Sequence, residues 1–437
     1  MRANRRDVHD GIPFCSGNRL LIPVSLRHDQ RQRREGRGML KLVWIPGAAA
    51  APDQPAYQQA VDTLTASFAD EAPATAGFPR APGAAPTGLD AVTKVIGDWL
   101  PRRTVPNAAV KLMLHGYDYD PRHAGDMTYD PFTLVYGMPG NQGLNGRLSW
   151  LPLVAECDAQ GGRPQETAIA FGWVSTGSVA EYAHAGWSES YEYACVDLAR
   201  LAAAAVAAVL NVLGNQGVSV DVLAHSLGTR LFCQALRQNG ARDTMLNNVI
   251  LLDGAEFAVD AAATFAGRQF NVINVTNEVD AVLALGGEQL GDPSRVPGSV
   301  PSSNIGRFGI GEINGWTGIA TYPPNWVDIS LDRRDVQAWF KANGGYTLTA
   351  TDSDGVHAPD GNLNHWACYT EPGNRVWLTD LIWKPGMNGG VMANTGGLPK
   401  GVLGDPQPVF AGVPIPNTTP MTWDARIAYQ RPAGGNG

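Results

Sequence analysis

The chain predicts an α/β fold: a mostly parallel central sheet flanked by helices, with loop or cap insertions between the elements. Two observations predict it. Short apolar runs bounded by polar or turn residues alternate along the chain with amphipathic helical stretches. One of these runs, Val218 to Ala224, passes without a spacer into a helix that begins at Leu227. Parallel strands need a crossover, usually a helix, and a strand covered on both faces reads as a nearly continuous apolar run rather than an alternating one.

Each element follows from its own residues. Lys41 to Ile45 is the first strand, and Val110 to Leu114 is a second that runs directly into His115-Gly116-Tyr117. Thr167 to Val174 is the next apolar run. A long helix is expected over Ser188 to Leu213, with Glu189 and Glu192 in its first turn and Tyr191, Leu198, Leu201, Val209 and Leu213 along one face. Its wholly apolar stretch, Leu201 to Leu210, is far shorter than the roughly 20 residues of a bilayer span. After the Val218 to Ala224 strand, Leu227, Leu231, Phe232, Ala235 and Leu236 recur at helical spacing, and Asn239-Gly240 supplies a stop. Val249 to Leu252 and Phe270 to Val275 read as two further strands. A last amphipathic helix is predicted over Asp332 to Asn343, capped by Asp332 and ended by Gly344-Gly345.

The strand-to-helix junction carries the chemistry. Its residues are Ala224-His225-Ser226-Leu227-Gly228. A serine hydroxyl is a poor nucleophile unless it projects from a sharp turn beside a general base, and such a turn has room only for small residues two before and two after the serine. Ala224 and Gly228 meet that need, and the expectation is a serine oxygen thrust into an open cleft. Without a base, the same junction reads as an N-capping serine on an ordinary helix, and His115-Gly116 as a plain strand-end turn.

With these motifs the chain resembles the α/β-hydrolases, in the serine esterase and lipase-like branch whose early strand ends in His-Gly-Tyr, over roughly Lys41 to Tyr369. The resemblance implies an oxyanion hole built from the backbone N–H of Leu227 and that of Tyr117. It also implies an order along the chain of serine, then an acid after a later strand, then a histidine near the end of the domain. Asp280 is the leading acid because Asn271 to Asp280 reads as strand followed by polar turn. Asp253, closing Val249-Ile250-Leu251-Leu252-Asp253, is the alternative. Two histidines lie downstream of both carboxylates. His365, in an apolar-leaning stretch, leads over His357, which sits among acidic residues in a solvated turn whose aspartates fail calcium-loop spacing. The implied activity is hydrolysis of carboxylic esters through an acyl-enzyme, on a small-molecule or lipid-like substrate. It needs no metal or organic cofactor, and it falls as pH drops through roughly 6.5 because the histidine must be neutral to act as base. Thioester hydrolysis or acyl transfer would use the same residues, and a non-catalytic binding protein on this scaffold would use none of them.

The frame around the site divides into an Arg-rich arm over residues 1–38, a hydrolase-like body over 39–384 and a Gly/Pro-rich tail over 385–437. The arm reads either as disordered or as a mis-assigned start ahead of Met39. Insertions are expected at about 118–164 and 286–355, and their aromatic residues either wall an apolar pocket over Ser226 or simply hold the insertions to the body. Hydrophobic residues make up 44% of the 437, enough for a sizeable core. Net charge is -8, and nine arginines lie in the arm, so the body is the more acidic part and nucleic acid is not an expected partner. Five cysteines show neither metal-ligand spacing nor a paired framework, and no secretory signal is evident. Together these favour a reducing cytoplasm.

Overall fold

The computed structural model describes residues 39–45, 62–67, 88–102, 109–121, 129–137, 149–150, 153, 166–176, 191, 194–238, 243–284, 304–309, 326–351 and 364–383. The expected arm and tail, the first turn of the long helix apart from Tyr191, the Asn239-Gly240 stop and His357 lie outside them. Eight strands form one sheet: β1 Met39–Ile45, β2 Asp62–Ser67, β3 Val110–Leu114, β4 Glu166–Gly172, β5 Val220–His225, β6 Leu246–Leu252, β7 Asn271–Thr276 and β8 Trp326–Ser330. Their order across the sheet is β2-β1-β4-β3-β5-β6-β7-β8. β1 runs antiparallel to both β2 and β4, and the strands from β4 to β8 are mutually parallel.

Among the described residues, six helices have eight residues or more: α1 Gly88–Trp99, α2 Ala199–Asn215, α3 Leu227–Arg237, α4 Ala258–Phe265, α5 Arg334–Gly344 and α6 Pro372–Trp383. They cover both faces, and the strand residues alternate accordingly. Val110, Leu112 and Leu114 of β3 and Val220, Val222 and Ala224 of β5 join the core under α2, α3 and α4. Met113 and Leu223, one step out of phase, join Phe340 of α5 and Trp377 of α6 in the core of the opposite face. The period-2 alternation of a strand thus feeds two cores at once, which is why these strands read as unbroken apolar runs.

Several expectations are corrected. β2 and β8 were not anticipated. β8 lies inside the stretch expected to be an insertion, and its buried Trp326 packs edge-on to Phe265 of α4 at 5.0 Å between ring centres. Its Asp328 disguised it: the buried carboxylate accepts from Trp326 Nε1 at 2.8 Å and from Asn274 Nδ2 of β7 at 2.7 Å, so a charge sits inside the sheet edge without an exposed face. The long helix begins as a π-helical turn, Ala194–Leu198, before α2. α5 is not capped by Asp332: Arg333 occupies that position without a side-chain bond, and the Asp332 carboxylate accepts instead from the Glu278 backbone N–H at 3.4 Å. The end of α5 falls at Gly345 in a left-handed conformation, φ 72°, as Gly344-Gly345 suggested.

One polar row crosses the sheet below its carboxyl end. Lys111, Asp221, Asn248 and Asn271 stand opposite one another on β3, β5, β6 and β7. The Lys111 ammonium pairs with the Asp221 carboxylate. Asn248 Nδ2 donates to Asp221 Oδ1 at 2.8 Å, and Asn271 Nδ2 donates to Asn248 Oδ1 at 3.0 Å.

Candidate active site

At the carboxyl end of β5 the chain makes its sharpest bend. Ser226 has φ 53° and ψ -126°, a conformation that costs a non-glycine residue on the order of 1–3 kcal/mol and persists only where the surroundings hold it. The surroundings do so through the backbone. Ser226 N–H donates to Leu252 O at 3.0 Å, and Ser226 O accepts from Thr229 N–H at 3.0 Å and Ala255 N–H at 2.9 Å. The bend also requires close approach from β3. A Cβ on Gly228 would lie 2.3 Å from Leu114 O and 2.6 Å from His115 O, and one on Gly116 would lie 2.8 Å from Ser226 Cβ. Glycine at both positions lets the His115-Gly116-Tyr117 turn lie against the serine. Ser226 is only 2% exposed, so it is buried rather than open to a cleft as expected.

Leu227 begins α3, so its backbone N–H belongs to the first turn, whose donors have no partner within the helix and where the helix dipole favours negative charge. The facing turn is held by the buried His115 at four points. His115 N–H donates to Tyr136 Oη at 3.0 Å, and its carbonyl accepts from Trp173 Nε1 at 3.0 Å. In the ring, Nδ1–H donates to Gly116 O at 2.9 Å and Nε2 accepts from the Trp173 backbone N–H at 3.0 Å. Burial lowers the pKa of this imidazole to about 3, against smaller opposing effects of the Gly116 hydrogen bond and the Asp120 charge. It is therefore neutral around neutral pH. Past the turn, Tyr117 is partly buried and meets Tyr191 edge-on at 5.2 Å.

Asp280 and His365 meet beside this bend. Asp280 sits in the turn after β7, where its Oδ1 accepts from Leu283 N–H at 2.9 Å. His365 follows Asn364, a residue in the left-handed region with φ 59°. Asn277, at the end of β7, ties the two loops together by donating from Nδ2 to Asn364 O at 3.1 Å and to Ala350 O at 2.8 Å. His365 Nδ1 lies 2.6 Å from Asp280 Oδ2, with both side chains buried. A carboxylate on Nδ1 fixes the tautomer in which Nε2 carries the lone pair.

Asp253, the alternative acid, is fully buried at the end of β6 with φ 43°. One oxygen of its carboxylate, one of Asp280 and a ring nitrogen of His365 lie within 4.8 Å of one another. Both candidate acids are therefore brought to the same imidazole, and Asp280 is the one bonded to it.

His225, between Ala224 and the serine, was not singled out from the sequence. Its Nε2 donates to the His365 carbonyl at 3.1 Å, and the two imidazole rings lie 4.6 Å apart, so it links the bend to the loop that carries His365. Burial, followed by the charge of His365, pushes the His225 pKa well below its ordinary value. Among the described aromatic residues of the two expected insertions, Phe132, Tyr136, Trp150 and Phe340 belong to one buried core, with Phe340 edge-on to Trp377 at 5.2 Å.

The family model described as "Alpha/beta hydrolase of unknown function (DUF900)" matches residues 152–277. That stretch runs through β4, the Ser226 bend, β6, Asp253 and β7, and stops short of Asp280 and His365. No curated protein matches the chain. Six parallel strands flanked by helices, with a family match of this description, give the chain an α/β-hydrolase fold.

Proposed function

Starting from the α/β-hydrolase fold, we propose that the chain is a serine hydrolase cleaving carboxylic esters, with Ser226 as nucleophile, His365 as base, Asp280 as acid and the backbone N–H groups of Leu227 and Tyr117 as oxyanion hole. The observation that carries this reading is the buried Asp280–His365 hydrogen bond of 2.6 Å, formed by two loops that converge beside the strained Ser226 bend.

In this mechanism His365 Nε2 takes the Ser226 hydroxyl proton as Oγ attacks the ester carbonyl carbon. The carbonyl oxygen becomes an oxyanion held by the two N–H groups, while Asp280 stabilises the imidazolium. Collapse of the intermediate expels the alkoxide, which takes the proton from His365 and leaves as the alcohol. Water then repeats the sequence on the acyl-Ser226 and releases the carboxylic acid. Small or lipid-like esters are the substrate class of this reading.

A fluorophosphonate probe tests it, because the probe reacts only with an activated serine. Wild-type protein is labelled and Ser226→Ala is not; a folded wild type that stays unlabelled overturns the reading. A panel of short, long, aromatic and thioester substrates then assigns the acyl preference.

A further inference from the structure

Asp253 takes no part in the mechanism above, yet it is fully buried and the chain is strained to place it there. Its φ of 43° is unusual for a residue with a side chain, and the neighbourhood enforces it. Asp253 N–H donates to Val275 O of β7 at 3.1 Å. Leu252 on one side and Ala255 on the other both bond the Ser226 backbone. Gly306 presses on it from outside: a Cβ there would stand 2.4 Å from the Asp253 carbonyl carbon. The segment is thus clamped to the serine bend and delivers a carboxylate within 4.8 Å of both Asp280 and a ring nitrogen of His365. The same carboxylate lies within 4.8 Å of a His225 ring nitrogen and the Cys368 thiol.

An aspartate that merely closes a strand needs no such location. Two desolvated carboxylates close together repel each other unless a cation or proton lies between them; of the two imidazoles in reach, burial disfavours a charge on His225, and His365, bonded to Asp280, is the one the mechanism makes cationic. We infer that Asp253 is a positioning residue for His365, a second carboxylate that supports the imidazolium alongside Asp280 and holds the imidazole N–H when Asp280 is removed. The inference rests on the reading of His365 as the base. It gives this site two acids from adjacent strands where one would suffice.

The experiment is a double-mutant cycle in the full chain: wild type, Asp280→Asn, Asp253→Asn and the double variant. Each is followed by the rate of fluorophosphonate labelling and by the low-field proton resonance of an imidazole N–H bonded to a carboxylate. Removing the orienting acid of a serine triad outright costs about 10⁴-fold. Here Asp280→Asn costs about 10²-fold and keeps a shifted low-field resonance, whereas the double variant loses about 10⁴-fold and the resonance with it. Asp253→Glu in the Asp280→Asn background keeps labelling above the double variant, which guards against a folding defect of Asp253→Asn. Equal labelling of Asp280→Asn and the double variant, with the resonance already gone from Asp280→Asn, overturns the inference while leaving the hydrolase reading standing. A folded wild type that is not labelled overturns the hydrolase reading instead, and the resonance in Asp280→Asn then decides the Asp253 contact alone.

Discussion

Lowering pH from 6.5 to 5 attacks the fold through His115 before most carboxylates titrate. The neutral ring donates from Nδ1 to Gly116 O and accepts at Nε2 from the Trp173 N–H, so a second proton on Nε2 must break the latter bond inside the core. The folded pKa is lowered to about 3, while the unfolded chain protonates near 6.5. In that interval the unfolded state binds more protons than the folded state, so stability is complete above 6.5 and falls as pH falls towards 3. One and a half pH units at about 1.4 kcal/mol per unit remove about 2 kcal/mol, a substantial part of the 5–15 kcal/mol typical of a native protein. His225, also lowered by burial, adds a loss of the same sign. Urea unfolding of wild type and His115→Gln at pH 7.5, 6.5, 5.8 and 5.0 measures this. The variant is less stable at neutral pH, but its loss between 6.5 and 5 is smaller by about 2 kcal/mol. Parallel stability curves for the two proteins would refute the assignment of His115 as a buried neutral imidazole.

Two further outcomes follow from contacts already described. Gly228→Ala places a methyl 2.3 Å from Leu114 O and so displaces the end of β3; it costs about 1–3 kcal/mol in thermal or urea unfolding and slows fluorophosphonate labelling at least tenfold, whereas Gly97→Ala, with nothing within 4 Å, does neither. Lys111→Met strands the buried Asp221 carboxylate and costs about 3–5 kcal/mol, part of which Asp221→Asn restores in the same background because the amide still accepts from Asn248; equal stability of the single and double variants would show that the ion pair is not the source of the loss.

The sheet was legible where its strands are buried on both faces, because β3, β5, β6 and β7 are nearly unbroken apolar runs. β2, with the polar sequence Asp-Thr-Leu-Thr-Ala-Ser, and β8, with a carboxylate at its centre, lack that signature. The Ser226 bend was legible because its sterics act on adjacent residues: a Cβ on Gly228 would lie 2.3 Å from Leu114 O, so the need for glycine leaves a local trace in the sequence. Chain order and strand ends reduced the acids to Asp280 and Asp253 and the histidines to His365 and His357, and local context put Asp280 and His365 first, but no local rule says that those two meet. The Asp280–His365 bond joins residues 85 apart, and Asp253 reaches the same ring from a third loop. The role of His115 was hidden for a similar reason, since its ring is bonded by Trp173, 58 residues away. Asp332 shows the converse failure, a good capping residue drawn off by a competing backbone donor at Glu278.

The row from Lys111 to Asn271 has a consequence for assembly of the sheet. A strand shifted by one residue turns every side chain to the other face, so a slip of β3 against β5 would aim the Lys111 ammonium into one hydrocarbon layer and leave the Asp221 carboxylate in the other. Apolar neighbours alone, mostly valine, leucine and isoleucine, distinguish such alignments weakly. The polar row therefore acts as an indexing mark near the start of four strands, and because those strands are short and stiff, it decides which residues arrive together at their far ends, where positions 115, 226, 253 and 277 must line up.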